Sequence, residues 1–172
     1  FASVYGNVQG PPLPEGDAPG LESWEYYSPP HATWASGVHA AIVEVDLKTL
    51  QVRYRRYVCA HECGLIVNPE TLTHVIERQL VYGTGRTTVE ELRYDADMVR
   101  SVDWETYPIL KFSEIPHIQV TLLSQPAQPW LGVGEGVTGP TAAALANAVH
   151  HALGVRVRDL PLTPERVIQA MP

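Results

Sequence analysis

A chain of 172 residues and 19.0 kDa is the size of one domain, with enough apolar content (45%) to bury a core. Few charged residues (18%), a net charge of −7 and a pI near 5.4 argue against a disordered chain and against a general binder of nucleic acid or anionic membranes. No apolar run approaches the roughly 20 residues of a membrane span, and two cysteines exclude a disulfide framework as the organising principle. The chain opens on Phe1 rather than Met and shows no basic and then apolar leader, so compartment stays open.

Residues 1–33 are rich in Pro and Gly with scattered aromatics (Pro11-Pro12, Trp24, Tyr26-Tyr27, Pro29-Pro30), the composition of an extended arm. Residues 34–172 carry the folded part. Val38 to Val45 and Leu50 to Val58 read as two strands joined at Asp46-Leu47-Lys48-Thr49. The first is apolar on both sides and is expected to be the more buried. The second alternates, with Leu50, Val52, Tyr54 and Val58 on the dry face and Gln51, Arg53, Arg55 and Tyr57 on the wet one.

Pro69 opens a helix with Leu72, Val75, Ile76 and Leu80 on one face. Gly83 and Gly85 are expected to loosen its end, with Thr87 to Leu92 resuming it. Leu92 to Val102 reads as a hairpin turning at Asp95-Ala96-Asp97, Trp104 to Pro116 as irregular, and His117 to Leu123 as a strand. Thr163-Pro164-Glu165 caps a last helix running to Met171. Strands and helices alternate without a βαβ rhythm, so the fold class is α+β, built of mixed hairpins and helices.

Gly132-Val133-Gly134-Glu135-Gly136-Val137-Thr138-Gly139-Pro140 organises the rest. Its glycines lift the steric bar on positive φ and let the backbone approach another molecule closely. A helix follows at once: Thr138 or Gly139 can cap it, Pro140 suits its first turn and Gly154 its stop. Glu135 sits beside an electropositive helix start, where a carboxylate either caps the helix or is offered to a ligand. Apolar neighbours (Trp130, Leu131, Val133, Val137) would disfavour its charged form and tune it as a general base.

Other candidates are weaker. Cys59-x-His61-x-Cys63 could share one strand face, but zinc normally takes a second pair of ligands, so no metal site is assigned. Arg53, Arg55 and Arg56 read as a solvated strand face, and Glu90-Glu91 as a solvated pair with Glu91 able to turn inward.

In order and spacing, several segments resemble the C-terminal part of the molybdopterin-binding large subunits of the xanthine oxidase and aldehyde oxidase family, the molybdenum hydroxylases. The nearest branch looks like the isoquinoline 1-oxidoreductase β-subunit type. The segments are Gly37 to Asp46, Cys63-Gly64-Leu65-Ile66-Val67-Asn68-Pro69, Tyr107-Pro108 with Ile115-Pro116, Gly132-Val133-Gly134-Glu135, Ala146-Asn147-Ala148-Val149, and Leu160 to Glu165.

The resemblance implies one lobe of a molybdenum-cofactor-binding domain. It makes Glu135 the general base of a hydroxylation that takes its oxygen from water and acts on an aldehyde or an aromatic N-heterocycle. It lays Gly132, Val133, Gly134 and Gly136 against the molybdenum–molybdopterin cofactor, and it implies as partners the remainder of the large subunit and a subunit carrying [2Fe-2S] clusters. Two departures stand out. Where the family carries Gln followed by Glu-Gly-Gly, this helix has Val75 and Glu77-Arg78-Gln79, and Trp130-Leu131 replace a basic residue often found before G-x-G-E. The competing implication is a non-catalytic assembly lobe of a split large subunit with degenerate cofactor contacts.

Overall fold

The computed structural model describes residues 34–172, so the expected arm at 1–33 lies outside the described residues. The described chain contains the strands β1 (Ser36–Val45), β2 (Val52–Glu62) and β3 (His117–Leu123), and the helices α1 (Pro69–Thr88), α2 (Thr138–Leu153) and α3 (Pro164–Ala170). β1 and β2 form the antiparallel hairpin, and β3 adds parallel to β2 after the α1 crossover. The sheet order is β1-β2-β3, a mixed sheet consistent with the α+β expectation. Among the described residues no helix is long and apolar enough to cross a membrane.

The buried strand is β2, not β1. As the central strand it is flanked on both sides, and Tyr57 and Cys59 are fully buried. β1 is an edge: one of its faces is half-buried, while Val38 and Ile42 are 74% and 57% exposed on the other.

The alternation within β2 also breaks. Register slips between Ile42 and Val43, so that Ile42 pairs with Arg56 but Val43 with Tyr54. The extra residue of this β-bulge reverses the side-chain phase. Val52 and Tyr54 point inward before it; Tyr57, Cys59 and His61 point inward after it, and Val58 is only half-buried. Tyr57 therefore lies in the core rather than on the wet face. Arg53, Arg55 and Arg56 are exposed, as expected of a solvated face, with Arg55 paired to Glu44.

Asn68 caps α1, its Oδ1 accepting the Thr71 N–H at 2.9 Å, and Pro69 takes the first helical position. The helix runs unbroken through Gly83 and Gly85 to Thr88. These glycines are contact points rather than a frayed end: a Cβ at Gly83 would press on Thr141 of α2, and one at Gly85 on the Glu90 carboxylate. The hydroxyls of Thr84, Thr87 and Thr88, all buried, donate to carbonyls one turn back and so remain satisfied.

Two apolar clusters hold the helices to one face of the sheet. Tyr57, Cys59, Ile76, Leu80, Val137 and Leu145 form the first; Val149, Val157, Leu162 and Val167 form the second, toward the C-terminal end of α2. Gly154 ends α2 in the left-handed conformation (φ 73°), and Thr163 caps α3. Glu90 and Glu91 are both partnered: Glu90 accepts the Tyr107 hydroxyl (3.1 Å) and Glu91 pairs with Arg166, whose hydrogen bond holds its carboxyl below the usual range.

Candidate functional site

The glycine loop lies where three elements meet. At its entrance the chain is stitched to the end of β2: the Leu131 N–H donates to the Cys63 carbonyl (2.9 Å) and the Gln125 N–H to the Gly64 carbonyl (3.1 Å). Gly64 has φ 75°, and any Cβ there would collide with the Pro129 carbonyl oxygen. At its exit the loop turns into α2, with the Gly136 N–H donating to the Val133 carbonyl and the Thr138 N–H to the Glu135 carbonyl, both at 3.1 Å.

Gly132 (φ 73°) and Gly134 (φ 47°) take the left-handed conformation that other residues resist; Gly136 and Gly139 do not. A Cβ on Gly132 or Gly134 would meet nothing within 4 Å, so their backbone borders open space. Val133, between them, packs against the main core. An exposed, side-chain-free strip of backbone anchored by one inward valine suits a large group lying close against it.

Glu135 is exposed, and its carboxylate has no hydrogen-bond or ion-pair partner among the described residues. The apolar walls expected around it do not close among the described residues: Val137 turns into the core, whereas Trp130 is 71% exposed. Nor does Glu135, Thr138 or Gly139 cap the helix. The N-cap is Val137, which has no side-chain acceptor to offer.

That function falls to a residue noted in the sequence only as a departure. Gln79 of α1 is fully buried. Its Nε2 donates to the Gly134 carbonyl (2.7 Å), while its Oε1 accepts from the Val137 N–H (3.3 Å) and the Thr138 hydroxyl (3.4 Å). A signal was available: Gln79 shares the apolar helix face of Ile76, Leu80 and Gly83, where a polar side chain needs a buried partner. Its neighbour Arg78 is exposed, and Val75 is half-buried.

Cys59 and His61 share the covered side of β2, Cys63 follows just past its end, and all three are buried. His39 of β1 joins them, hydrogen-bonded to the Tyr57 hydroxyl (2.7 Å) and in contact with the Cys59 Sγ (3.4 Å). Burial pushes the Cys59 thiol up to about 11 and lowers His61 and His39, so the thiol stays protonated and the imidazoles neutral near pH 7. No group of three or more side chains able to hold a metal occurs among the described residues.

A model of the molybdopterin cofactor-binding domain matches residues 5–116 of this chain, more than half of its length. The chain belongs to that family. The match ends before the glycine loop, which the longer alignments reach. A nicotinate dehydrogenase subunit of Pseudomonas putida is 41% identical over 81% of this domain, and nicotine 6-hydroxylase large subunit of Paenarthrobacter nicotinovorans is 33% identical over 91%. The crystal structure of quinoline 2-oxidoreductase from Pseudomonas putida 86 superposes with a TM-score of 0.76 at 29% identity, covering 92% of the domain. The domain spans only 12%, 20% and 21% of the length of these three proteins. It is thus a molybdopterin-binding fragment of the xanthine oxidase type.

Proposed function

We propose that the domain is the base-bearing lobe of a molybdenum hydroxylase that oxidises an aldehyde or an aromatic N-heterocycle with water-derived oxygen. The observation that carries this reading is Glu135: an exposed carboxylate, unpartnered among the described residues, on a loop whose backbone borders open space at Gly132 and Gly134. Relatives named for nicotinate, nicotine and quinoline support the heterocycle class, and one named aldehyde oxidoreductase, 34% identical, supports the other. The division into an arm at 1–33 and a lobe at 34–172 belongs to this reading; for the lobe, its support is that residues 34–172 fall within one compact unit.

Gly132, Val133, Gly134 and Gly136 would hold the cofactor through main-chain contact, which their small or inward-turned side chains permit. The molybdenum–pterin group, when bound, would supply the redox chemistry by taking up the electron pair removed from the substrate carbon. Glu135 would accept a proton on its carboxylate oxygen from the water-derived nucleophile, so that oxygen attacks as the stronger nucleophile. Exclusion of water, the rest of the pocket and the exit of electrons through a [2Fe-2S] subunit fall to the remainder of the large subunit and its partners.

The second reading, a non-catalytic assembly lobe, has Val75 on its side: an apolar side chain on α1 where the resemblance expects an amide. Glu135→Gln in the reconstituted complex separates the two. The enzyme reading expects turnover per molybdenum to fall by about 100-fold or more, the scale of general-base catalysis, with assembly and metal content intact. Unchanged turnover favours the assembly lobe.

A further inference from the structure

We infer that Gln79 is the positioning residue that sets where the Glu135 carboxylate points. The inference rests on the reading of Glu135 as the base. Glycines at 132 and 134 leave the loop backbone intrinsically free, and among the described residues no hydrogen bond or ion pair fixes the Glu135 carboxylate. The end of β2 holds the loop at its entrance, through the Leu131 N–H; around Glu135 the side-chain grip is one amide reaching across from α1. Gln79 grips the loop on both sides of Glu135, at the Gly134 carbonyl before it and at the Val137 N–H and Thr138 hydroxyl after it. The Thr138 hydroxyl also lies 3.3 Å from that of Tyr82, a second tie to α1.

The residue type follows from the geometry. The loop offers an acceptor at Gly134 and donors at Val137 and Thr138, so the clamp must donate and accept through one planar group. An ionised glutamate cannot donate, a methionine cannot donate and accepts only weakly through sulfur, and an asparagine is one methylene short. Gln79 also stands in for the missing N-cap: because Val137 has no acceptor, the start of α2 depends on an oxygen borrowed from another helix. The segment bearing the carboxylate and the helix behind it are therefore held by the same side chain.

The test compares the intact, cofactor-loaded complex carrying Q79M, Q79E, E135Q and the double substitution Q79M/E135Q. Q79M keeps length and volume and removes both hydrogen-bonding functions; Q79E faces the Gly134 carbonyl with oxygen. Each is expected to lower kcat per molybdenum by about 10- to 100-fold, the cost of a misplacement near 1 Å, while KM changes little. Deuterium uptake by the 131–139 peptide should rise in both variants but not in E135Q, and the double variant should be no slower than E135Q alone.

Unchanged uptake in Q79M, or loosened exchange with full kcat per molybdenum, would overturn the inference. So would a loss confined to the assembled fraction, the mark of a merely structural amide. Should Q79M fail to assemble, Q79E carries the same readouts. If E135Q turns over normally, the base reading fails and this inference falls with it, whereas a failure of Gln79 alone leaves E135Q inactive.

Discussion

The two ends of α2 are finished in opposite ways. Past Gly154 the chain folds back and seals the helix with side chains: Val157, Leu162 and Val167 close over Val149, and the Leu162 N–H is tied to the Thr87 carbonyl at 2.7 Å. Before Thr138, Val133 and Val137 anchor the inner side, but among the described residues no side chains close over the outer one. The backbone is fixed by hydrogen bonds from Gln79 and from the end of β2, and its outer surface is left bare at Gly132 and Gly134. Apolar burial is non-directional and serves where closure is enough. Hydrogen bonds have direction, and they serve where a short stretch must hold a shape without being covered.

Changes at the closed end should cost the most stability. Leu162→Ala removes a buried side chain from a small cluster and should cost about 2–5 kcal/mol in denaturant unfolding. Deuterium uptake of the 131–139 peptide should nonetheless stay at the wild-type level; if it rose, the two ends would not be independent. Gly64→Ala acts at the open end. A left-handed backbone and a collision with the Pro129 carbonyl should cost about 2 kcal/mol or more, and here uptake across 131–139 should rise with the loss of stability.

The smallest effect is on pH dependence. His61 is 3% exposed, and neither ring nitrogen has a partner among the described residues, so burial lowers its pKa below 6.5. The unfolded chain then binds the proton first, and stability falls as pH drops below 6.5, with a limiting slope of about 1.4 kcal/mol per pH unit for each such histidine. His39, lowered by burial and by His61, adds in the same direction. Unfolding measured from pH 7.5 to 5.5 should show a shallower slope in His61→Leu; an unchanged slope would contradict a buried neutral imidazole.

Much of the fold was legible because it rests on local chemistry. Pro69 after Asn68, Pro164 after Thr163 and Gly154 after Leu153 punctuate helices by fixed φ or by capping, and the hairpin at Asp46 and the turn at Asp95 follow from side chains that bond their own backbone. The place of Glu135 on a glycine loop before a helix was legible for the same reason, but its exposure was not, since the sequence equally allowed a capping carboxylate among apolar walls. What escaped depends on partners distant in sequence. The bulge beside Arg55 and Arg56 reverses the inward phase of β2 only through its pairing with β1. Gly83 continues a helix because Thr141 packs onto it. Gln79 matters through residues more than fifty positions away: its place on an apolar helix face signals a buried partner but not which one.

The proposed function makes the open end of α2 the edge that would meet the cofactor. Hydrogen–deuterium exchange of the assembled complex with and without the molybdenum–pterin group tests it directly. Protection should increase across residues 132–139 on loading and stay unchanged across α3. Equal uptake by the loop in both states would contradict the account.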